Sequence, residues 1–364
     1  MGVVCLVGFL EQIEGVGRPY YRMREEAGKG PLPTSAIASS KHSAKNHTDV
    51  DVKSLPDTGS RTRPLGFREA ADAATNCLLQ GASSSSFWQY ARNTMSGSVM
   101  SEGEPVPHRL ITLAFSHYNE KARWALDRYA VPYREEPHMP FVCSLAVAIA
   151  TRGRGGAADR TSSRYSTPVL ILNDGRVLTD STDIVRFAAG RDDSLFPSTE
   201  VSELVDHYGD QLGPYTRLLA YWHLGRHPGM IEQLAADNVG RREAWIFERV
   251  VPMARSQLAR ALNLTESGHD RALARVRQEL DEAASRLEQR NYLCGDRFTA
   301  ADLTFAALLA PGLCLTPEEG FGAVLPDRAS LDDEAQALVH EVRTHPAGQF
   351  ALRVYAEERR RVLP

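Results

Sequence analysis

Residues 114–126 read AFSHYNEKARWAL, and this stretch joins two segments with different hydrophobic patterns. The residues up to Phe115, RLITLAF, form a short apolar run typical of a buried strand. Beyond them, apolar side chains recur at helical spacing: Ala122, Ala125, Leu126 and Tyr129. The sequence therefore predicts a strand that runs directly into a helix, with Ser116 at the junction.

The residues that follow predict a compact alternation of strands and helices. VPYREEPH (131–138) favours a second strand, and FVCSLAVAIA (141–150) a short buried helix. TPVLILNDGRVLTD (167–180) predicts a hairpin around Asp174-Gly175, a strong tight-turn signal. STDIVRFAAG (181–190) predicts a helix with Asp180 or Ser181 as its N-cap and Gly190 as its end.

The rest of the chain divides into an unpatterned N-terminal part and a helical C-terminal part. Residues 1–106 are rich in Ser, Gly, Pro and Thr, which predicts a disordered extension or a translated upstream region. Residues 107–191 and 198–360 are predicted to be the two folded domains. Helices are expected in the second one at 200–224, 231–264, 268–290, 299–310 and 331–359.

Composition excludes several classes of protein. The net charge of −4 gives no electrostatic case for binding nucleic acid or an anionic membrane, and no apolar run reaches the ~20 residues that span a bilayer. The five cysteines are scattered and form no CxxC pair, which predicts reduced thiols in the cytoplasm. His223 and His227 have a metal-like spacing, but no third ligand is evident, so no metal site is predicted.

Four motifs occur in order: FSHYNEKARWAL, STPVLIL, LTDSTDIVRF and YLCGDRFTAADLTFAALLAP. Together they resemble the cytosolic glutathione S-transferase superfamily over about residues 108–355. The resemblance implies a thioredoxin-like N-terminal domain followed by an all-helical C-terminal domain. It also implies glutathione as co-substrate, an electrophilic small molecule as the second substrate, and a homodimer.

Ser116 occupies the position that the resemblance assigns to the catalytic serine. Free N–H groups at a helix N-terminus favour a negative charge, and a hydroxyl can donate to a thiolate. Together they would lower a thiol pKa of about 8.5 by one or two units. The alternative is a simple N-cap, for which Ser is a preferred residue. Tyr118 is the second candidate for the hydroxyl donor.

Asn119 replaces the second cysteine of the Cys-x-x-Cys pair found in redox relatives. With Ser116 and Asn119 in the two positions, dithiol exchange at this turn is excluded. Asn119 is either a second polar contact to the ligand or a surface residue of the first turn, and the surface position is preferred.

The motifs STPVLIL and LTDSTDIVRF are expected to bind the cysteinyl unit of glutathione and its charged γ-glutamyl end. The resemblance implies a cis bond before Pro168, with Thr167 beside it and the main chain of Val169 pairing with the cysteinyl unit. Asp180 and Ser181 would receive the α-amino and α-carboxylate groups of the γ-glutamyl end. The alternatives are an ordinary trans proline and simple helix capping.

Other motif residues have predominantly structural interpretations. Thr299 and Asp302 fit a capping box and are predicted to act in folding. Tyr215 and Trp222 belong to an apolar stripe typical of a core, and the resemblance allows them to border the electrophile pocket as well. The basic run Arg359–Arg361 is predicted to be solvated.

Three functions remain open on this basis. The first is a glutathione transferase active in detoxification. The second is a non-catalytic binding or scaffold protein with the same fold. The third is a glutathione-dependent isomerase or dehalogenase that uses the same thiolate.

Overall fold

The structure, a computed structural model, describes residues 106–155, 164–261 and 264–363. The predicted extension over residues 1–106 lies outside this part except for Val106.

A four-stranded mixed sheet organises the first part of the described chain. Its strands are β1 (His108–Leu113), β2 (Tyr133–His138), β3 (Val169–Ile171) and β4 (Val177–Leu178), in the spatial order β2-β1-β3-β4. Strand β1 pairs in parallel with β2 and antiparallel with β3, which in turn pairs antiparallel with β4. Helices α1 (His117–Arg128), α2 (Val142–Ala150) and α3 (Ser181–Ala189) connect or follow them. The predicted strand–helix junction at Ser116, the second strand and the hairpin are confirmed.

Helices are the regular elements of the rest of the described chain, together with a 3₁₀ turn at Arg328–Ser330. They are α4 (Thr199–Gln211), α5 (Gly213–Arg226), α6 (Pro228–Asn238), α7 (Arg241–Ala261), α8 (Glu266–Leu287), α9 (Ala300–Leu313), α10 (Asp333–Thr344) and α11 (Pro346–Glu358). The predicted fold class, a thioredoxin-like sheet domain followed by an all-helical domain, is confirmed. The boundaries 107–191 and 198–360 stay a prediction.

Three of the predicted long helices are broken. Proline has no N–H group and is tolerated in the first turn of a helix but not in its interior. Pro214 and Pro346 each lie in the first two positions of a new helix and break the helices predicted over 200–224 and 331–359. The helix predicted over 231–264 is broken at Val239 and Gly240, between α6 and α7. All three predictions of an unbroken helix were therefore wrong.

Helix α9 lies at the centre of the core. Twelve of its fourteen residues are buried, and it packs against α1, α4, α5, α10 and α11. Because α1 belongs to the sheet part and the other four helices belong to the helical part, α9 joins the two parts in one core. Helix α2, predicted to be buried, buries only one face, since Leu145 and Ile149 are exposed.

A buried ion-pair network ties α1 to the end of α11. Arg359 Nε donates to Glu120 Oε1 over 2.7 Å, and Arg359 Nη1 donates to Asp127 Oδ2 over 2.9 Å. Glu120 is fully buried, and its second oxygen accepts from the Gly322 N–H over 3.0 Å. The prediction of a solvated basic run was wrong for Arg359, because its charge neutralises a buried carboxylate of α1.

Candidate functional site

Ser116 is the N-cap residue of α1, but its hydroxyl does not cap the helix. Its backbone carbonyl accepts from the N–H groups of Asn119 and Glu120, both over 3.0 Å. Among the described residues the Ser116 side chain makes no hydrogen bond, and it is half-buried. The simple capping interpretation therefore does not hold, and the hydroxyl is available to a ligand at the helix N-terminus.

Asn119 is fully buried, so the preferred prediction of a surface position was wrong. Its Nδ2 donates to the Leu113 carbonyl over 2.9 Å and to Thr167 Oγ1 over 3.2 Å. Its Oδ1 is buried and has no hydrogen-bond partner in the described part of the chain. Asn119 thus connects the end of β1 to the loop before β3, and presents an unused acceptor beside the turn.

Tyr118 is held by the helical part. Its hydroxyl donates to the Gly209 carbonyl over 2.8 Å, and burial raises its pKa to about 12. Because the hydroxyl proton is already engaged on α4, Tyr118 is a poor second candidate for the donor to a thiolate. Its predicted contact with glutathione finds no support in this geometry.

The loop before β3 lies directly beside the Ser116 turn. Thr167 Oγ1 accepts from the Leu113 N–H over 3.1 Å as well as from Asn119. The peptide bond between Thr167 and Pro168 is cis, as predicted. Val169, fully buried, opposes Ile111 in the antiparallel ladder. The structure therefore brings Ser116, Thr167 and Pro168 to one edge of the sheet.

The N-terminus of α3 approaches the same helix. Asp180 is its N-cap, with Oδ1 accepting from the N–H groups of Thr182 over 2.8 Å and Asp183 over 3.2 Å. Ser181 is buried at the first position. Lys121 of α1, also buried, donates from Nζ to Thr182 Oγ1 over 2.8 Å, a contact that sequence reasoning missed. This ammonium adds positive charge next to the predicted γ-glutamyl site.

One face of α5 covers the Ser116 turn. The Gly213 carbonyl lies 2.9 Å from His117 Nε2, and a Cβ at Gly213 would come within 2.2 Å of Tyr118 Oη. Tyr221, two turns later, has its ring centroid 6.3 Å from that of Phe115. Gly213 and Tyr221 therefore contact the residues on either side of Ser116.

Tyr215 and Trp222 lie on a different side of α5 from Gly213. At about 100° per residue, positions 215 and 222 point roughly 180–200° away from position 213. Trp222 stacks on His269 of α8 at 5.1 Å, and Tyr215 packs on the main core. In the structure Tyr221, not Trp222, lies beside Phe115. The pocket role of Tyr215 and Trp222 stays a prediction.

The described cysteines do not offer a competing nucleophile. Burial raises the pKa of each thiol to about 11: Cys143, Cys294 and Cys314. A thiol with such a pKa is almost entirely protonated near neutrality and reacts poorly. None of these three thiols is therefore expected to act as a nucleophile near neutral pH.

Thr299 and Asp302 form the predicted capping box. The Asp302 carboxylate accepts from the N–H groups of Leu293 and Thr299, both over 2.8 Å, and from Thr299 Oγ1 over 2.9 Å. Burial nevertheless raises the pKa of Asp302 to about 6. All three donors belong to the start of α9 and the segment before it, which agrees with a role in folding.

Two clusters contain groups that bind metals in other proteins. His227 Nε2 lies 2.9 Å from Asp332 Oδ2, and His223 Nδ1 lies 3.7 Å from Asp332 Oδ1, so an acidic neighbour exists that the sequence did not reveal. The ligand atoms of His207, Glu279 and Glu282 lie within 4.8 Å of one another. Neither cluster includes a residue of the Ser116 turn.

Family models match both parts of the chain. The model described as "Glutathione S-transferase, N-terminal domain" matches residues 115–191, and that described as "Glutathione S-transferase, C-terminal domain" matches residues 266–311. No curated protein matches the sequence significantly.

Solved structures of glutathione S-transferases resemble the chain at low identity. One from Xanthobacter autotrophicus Py2 is 17% identical, covers 69% of this chain and 93% of its own, and has a TM-score of 0.43. Glutathione transferase GSTFuA2 from Phanerochaete chrysosporium is 16% identical, covers 70% of this chain and 99% of its own, and has a TM-score of 0.47. At these values neither activity nor ligands transfer from those proteins to this one.

The N-terminal family model matches the sheet part, and the C-terminal model matches the helical part that follows it. The first match begins at Phe115, next to Ser116 at the start of α1. The chain therefore belongs to the glutathione S-transferase superfamily.

Proposed function

We propose that the protein is a glutathione transferase in which Ser116 stabilises the thiolate of bound glutathione. The observation that carries this proposal is the Ser116 hydroxyl, which lies at the N-terminus of α1 without a hydrogen bond to the described protein. An intramolecular cap would have used that hydroxyl, whereas a ligand thiolate can accept from it.

The positive end of α1 and the Ser116 hydroxyl act on the same ligand atom. A negative charge at a helix N-terminus is favoured by the free N–H groups and by the macrodipole. Each unit by which the thiol pKa falls below its usual value of about 8.5 corresponds to about 1.4 kcal/mol. A fall of about two units would make the bound thiol mostly thiolate at pH 7.

The reaction that follows is a substitution at an electrophilic carbon. The thiol proton leaves to solvent, the thiolate sulfur forms a bond to carbon, and the leaving group departs with the electrons of its bond. Ser116 keeps its own proton and donates it as a hydrogen bond throughout. The products are a thioether of glutathione, a proton and the released leaving group.

Other parts of the site would hold the glutathione backbone and its charged end. Val169 and the cis Thr167-Pro168 bond would present main-chain groups to the cysteinyl unit, as the family resemblance implies. Asp180 and Ser181, with Lys121 beside them, would receive the γ-glutamyl end. The homodimer and the cytoplasmic location stay predictions. None of the described helices is long and apolar enough to cross a membrane.

The test is an ultraviolet titration of the thiol of glutathione bound to the full chain. The wild type should show a pKa well below the free value, and Ser116→Ala should move it back by at least one unit. Ser198→Ala is the matched control, since Ser198 is also an N-cap serine but uses its hydroxyl to cap α4.

The two other outcomes have separate meanings. Glutathione that binds with an unshifted thiol would contradict the thiolate mechanism. If glutathione does not bind at all, the enzyme proposal fails and the non-catalytic binding or scaffold protein becomes the better explanation.

A further inference from the structure

Arg217 lies on the α5 face that covers the Ser116 turn. Positions 213, 217 and 221 are one helical turn apart and share one side of the helix. Gly213 contacts His117 and Tyr118, and Tyr221 lies against Phe115. Arg217 is placed between these two contacts and therefore faces the turn on which Ser116 lies.

The guanidinium of Arg217 has no counter-ion in the described part of the chain. Its Nε is buried and makes no hydrogen bond there. By contrast, Arg226, which lies on the same helix as Arg217, pairs with Glu334 of α10 over 2.8 Å. Burying part of a charge without a partner costs free energy, which an anionic ligand would recover.

The charge of Arg217 acts on the residues around Ser116. Burial dominates the pKa shifts of His117, Tyr118 and Tyr221, and the positive charge of Arg217 acts on all three in the lowering direction. This agrees with the helical spacing, which places the guanidinium near these three side chains.

The surroundings of Arg217 also indicate the kind of molecule that carries the anion. The rings of Phe115 and Tyr221 offer an aromatic surface one turn away. Within the described ranges the Tyr221 hydroxyl makes no hydrogen bond, so this surface keeps one polar group available. Arginine binds carboxylates through a planar pair of N–H donors.

We propose that Arg217 binds a carboxylate of the second substrate, so that the protein prefers aromatic electrophiles that bear a carboxylate. The inference rests on the proposed glutathione transferase activity and names the class of its second substrate. Ser116 would act on the sulfur of glutathione, and Arg217 on the charged end of the electrophile.

The test compares two electrophiles of similar size and shape, one with a carboxylate and one with a neutral carboxamide: 4-chloro-3-nitrobenzoate and 4-chloro-3-nitrobenzamide. In both, the thiolate of glutathione displaces chloride from the ring carbon. Arg217→Gln should lower kcat/KM for the benzoate by about 10- to 100-fold, the range of a hydrogen bond between charged groups, and for the benzamide by less than about 3-fold. Comparing variants on each substrate cancels the difference in intrinsic reactivity.

Two further variants control this comparison. Arg217→Lys keeps the charge but not the planar pair of donors, and should recover part of the preference for the benzoate. Arg226→Gln removes a paired arginine from the same helix and should change neither rate by more than about 3-fold.

Failure of the inference can be told apart from failure of the proposed function. Equal losses on both substrates in Arg217→Gln would overturn the inference and show a structural role. A raised thiol pKa of bound glutathione in Arg217→Gln, with the preference for the benzoate unchanged, would overturn it too and assign Arg217 to the thiolate.

Binding measurements separate the remaining cases. They use glutathione itself and the products of the two reactions, its S-(4-carboxy-2-nitrophenyl) and S-(4-carbamoyl-2-nitrophenyl) thioethers. If glutathione does not bind to the wild type, the proposed function fails and the inference falls with it. If glutathione binds but neither electrophile reacts, the affinities of the two thioethers decide. Tighter binding of the carboxylate thioether by the wild type, lost in Arg217→Gln, would uphold the inference. Equal binding of the two thioethers by the wild type, or a preference that Arg217→Gln keeps, would overturn it.

Discussion

Asn119 and Thr167 are 48 residues apart in the sequence, and the amide nitrogen of Asn119 lies 3.2 Å from the hydroxyl oxygen of Thr167. The same nitrogen donates to the Leu113 carbonyl, and Thr167 in turn accepts from the Leu113 N–H. These bonds fix the Ser116 turn against the cis-proline loop. The two segments proposed to hold the cysteinyl unit are therefore positioned by side chains that need not touch it.

We expect Asn119→Ala to weaken glutathione binding by about 10-fold, because the Ser116 turn and the Thr167 loop lose their shared donor. The measurement is calorimetric titration of the full chain with glutathione. Asn238→Ala is the matched control, since the Asn238 side chain makes three hydrogen bonds, to Leu234 and Val324, outside the site. Equal affinities for Asn119→Ala and the wild type would contradict a positioning role.

Tyr118→Phe should leave the thiol pKa of bound glutathione unchanged and lower the free energy of unfolding by about 1 kcal/mol, since it removes the bond to the Gly209 carbonyl. The same ultraviolet titration and a urea denaturation check both parts. Tyr133→Phe, which removes a comparable bond to Asp127, serves as the control for stability. A higher thiol pKa in Tyr118→Phe alone would make Tyr118 the donor instead of Ser116.

The lowered pKa of His117 predicts that the protein becomes less stable as the pH falls. Burial, followed by the charge of Arg217, lowers its pKa to about 3, whereas the unfolded chain takes up this proton near pH 6.5. Between those values the unfolded state binds more protons than the native state, so the free energy of unfolding decreases as pH falls. The slope from this group reaches about 1.4 kcal/mol per pH unit.

His117→Gln keeps a nitrogen donor for the Gly213 carbonyl but has no titrating ring. Urea denaturation at several pH values should show the wild type losing about 2 kcal/mol relative to this variant between about pH 6.5 and pH 4.5. His340→Gln, at an exposed position of α10, is the control. Parallel pH profiles for the wild type and His117→Gln would contradict the prediction.

Asp302→Ala should destabilise the fold by about 3 kcal/mol, because three donors at the start of the central helix α9 lose their acceptor. Asp327→Ala, which removes an exposed cap of the 3₁₀ turn, should cost about 1 kcal/mol or less. Urea denaturation with an unchanged m-value is the readout. A loss for Asp302→Ala no larger than that for Asp327→Ala would argue against its folding role.

Features encoded by a few neighbouring residues could be predicted from the sequence. The strand–helix junction at Ser116, the Asp174-Gly175 hairpin and the Thr299–Asp302 capping box depend on residues at most a few positions apart. Local propensity and spacing carry that information. The cis bond before Pro168 followed from the family motif instead.

Features that depend on distant partners could not be predicted in this way. Asn119 is polar and was placed at the surface, yet the Thr167 loop gives it a buried acceptor. The sequence predicts a single helix over 200–224, whose apolar stripe points to Tyr215 and Trp222 and does not reveal Arg217 and Tyr221. Gly213-Pro214 marks the break, and the four-residue spacing of 213, 217 and 221 is the signal that could have revealed the face towards Ser116.

The ion pair between Glu120 and Arg359 has a consequence for how the protein matures on the ribosome. The two residues are 239 positions apart, and Glu120 lies in the helix whose N-terminus forms the proposed thiolate site. A nascent chain that has exposed only the thioredoxin-like part has Arg123 3.5 Å from this buried carboxylate, but still lacks the closer cation, Arg359. We therefore expect the proposed glutathione-binding half to acquire its final form only after residue 359 has left the exit tunnel, long after this half itself has emerged.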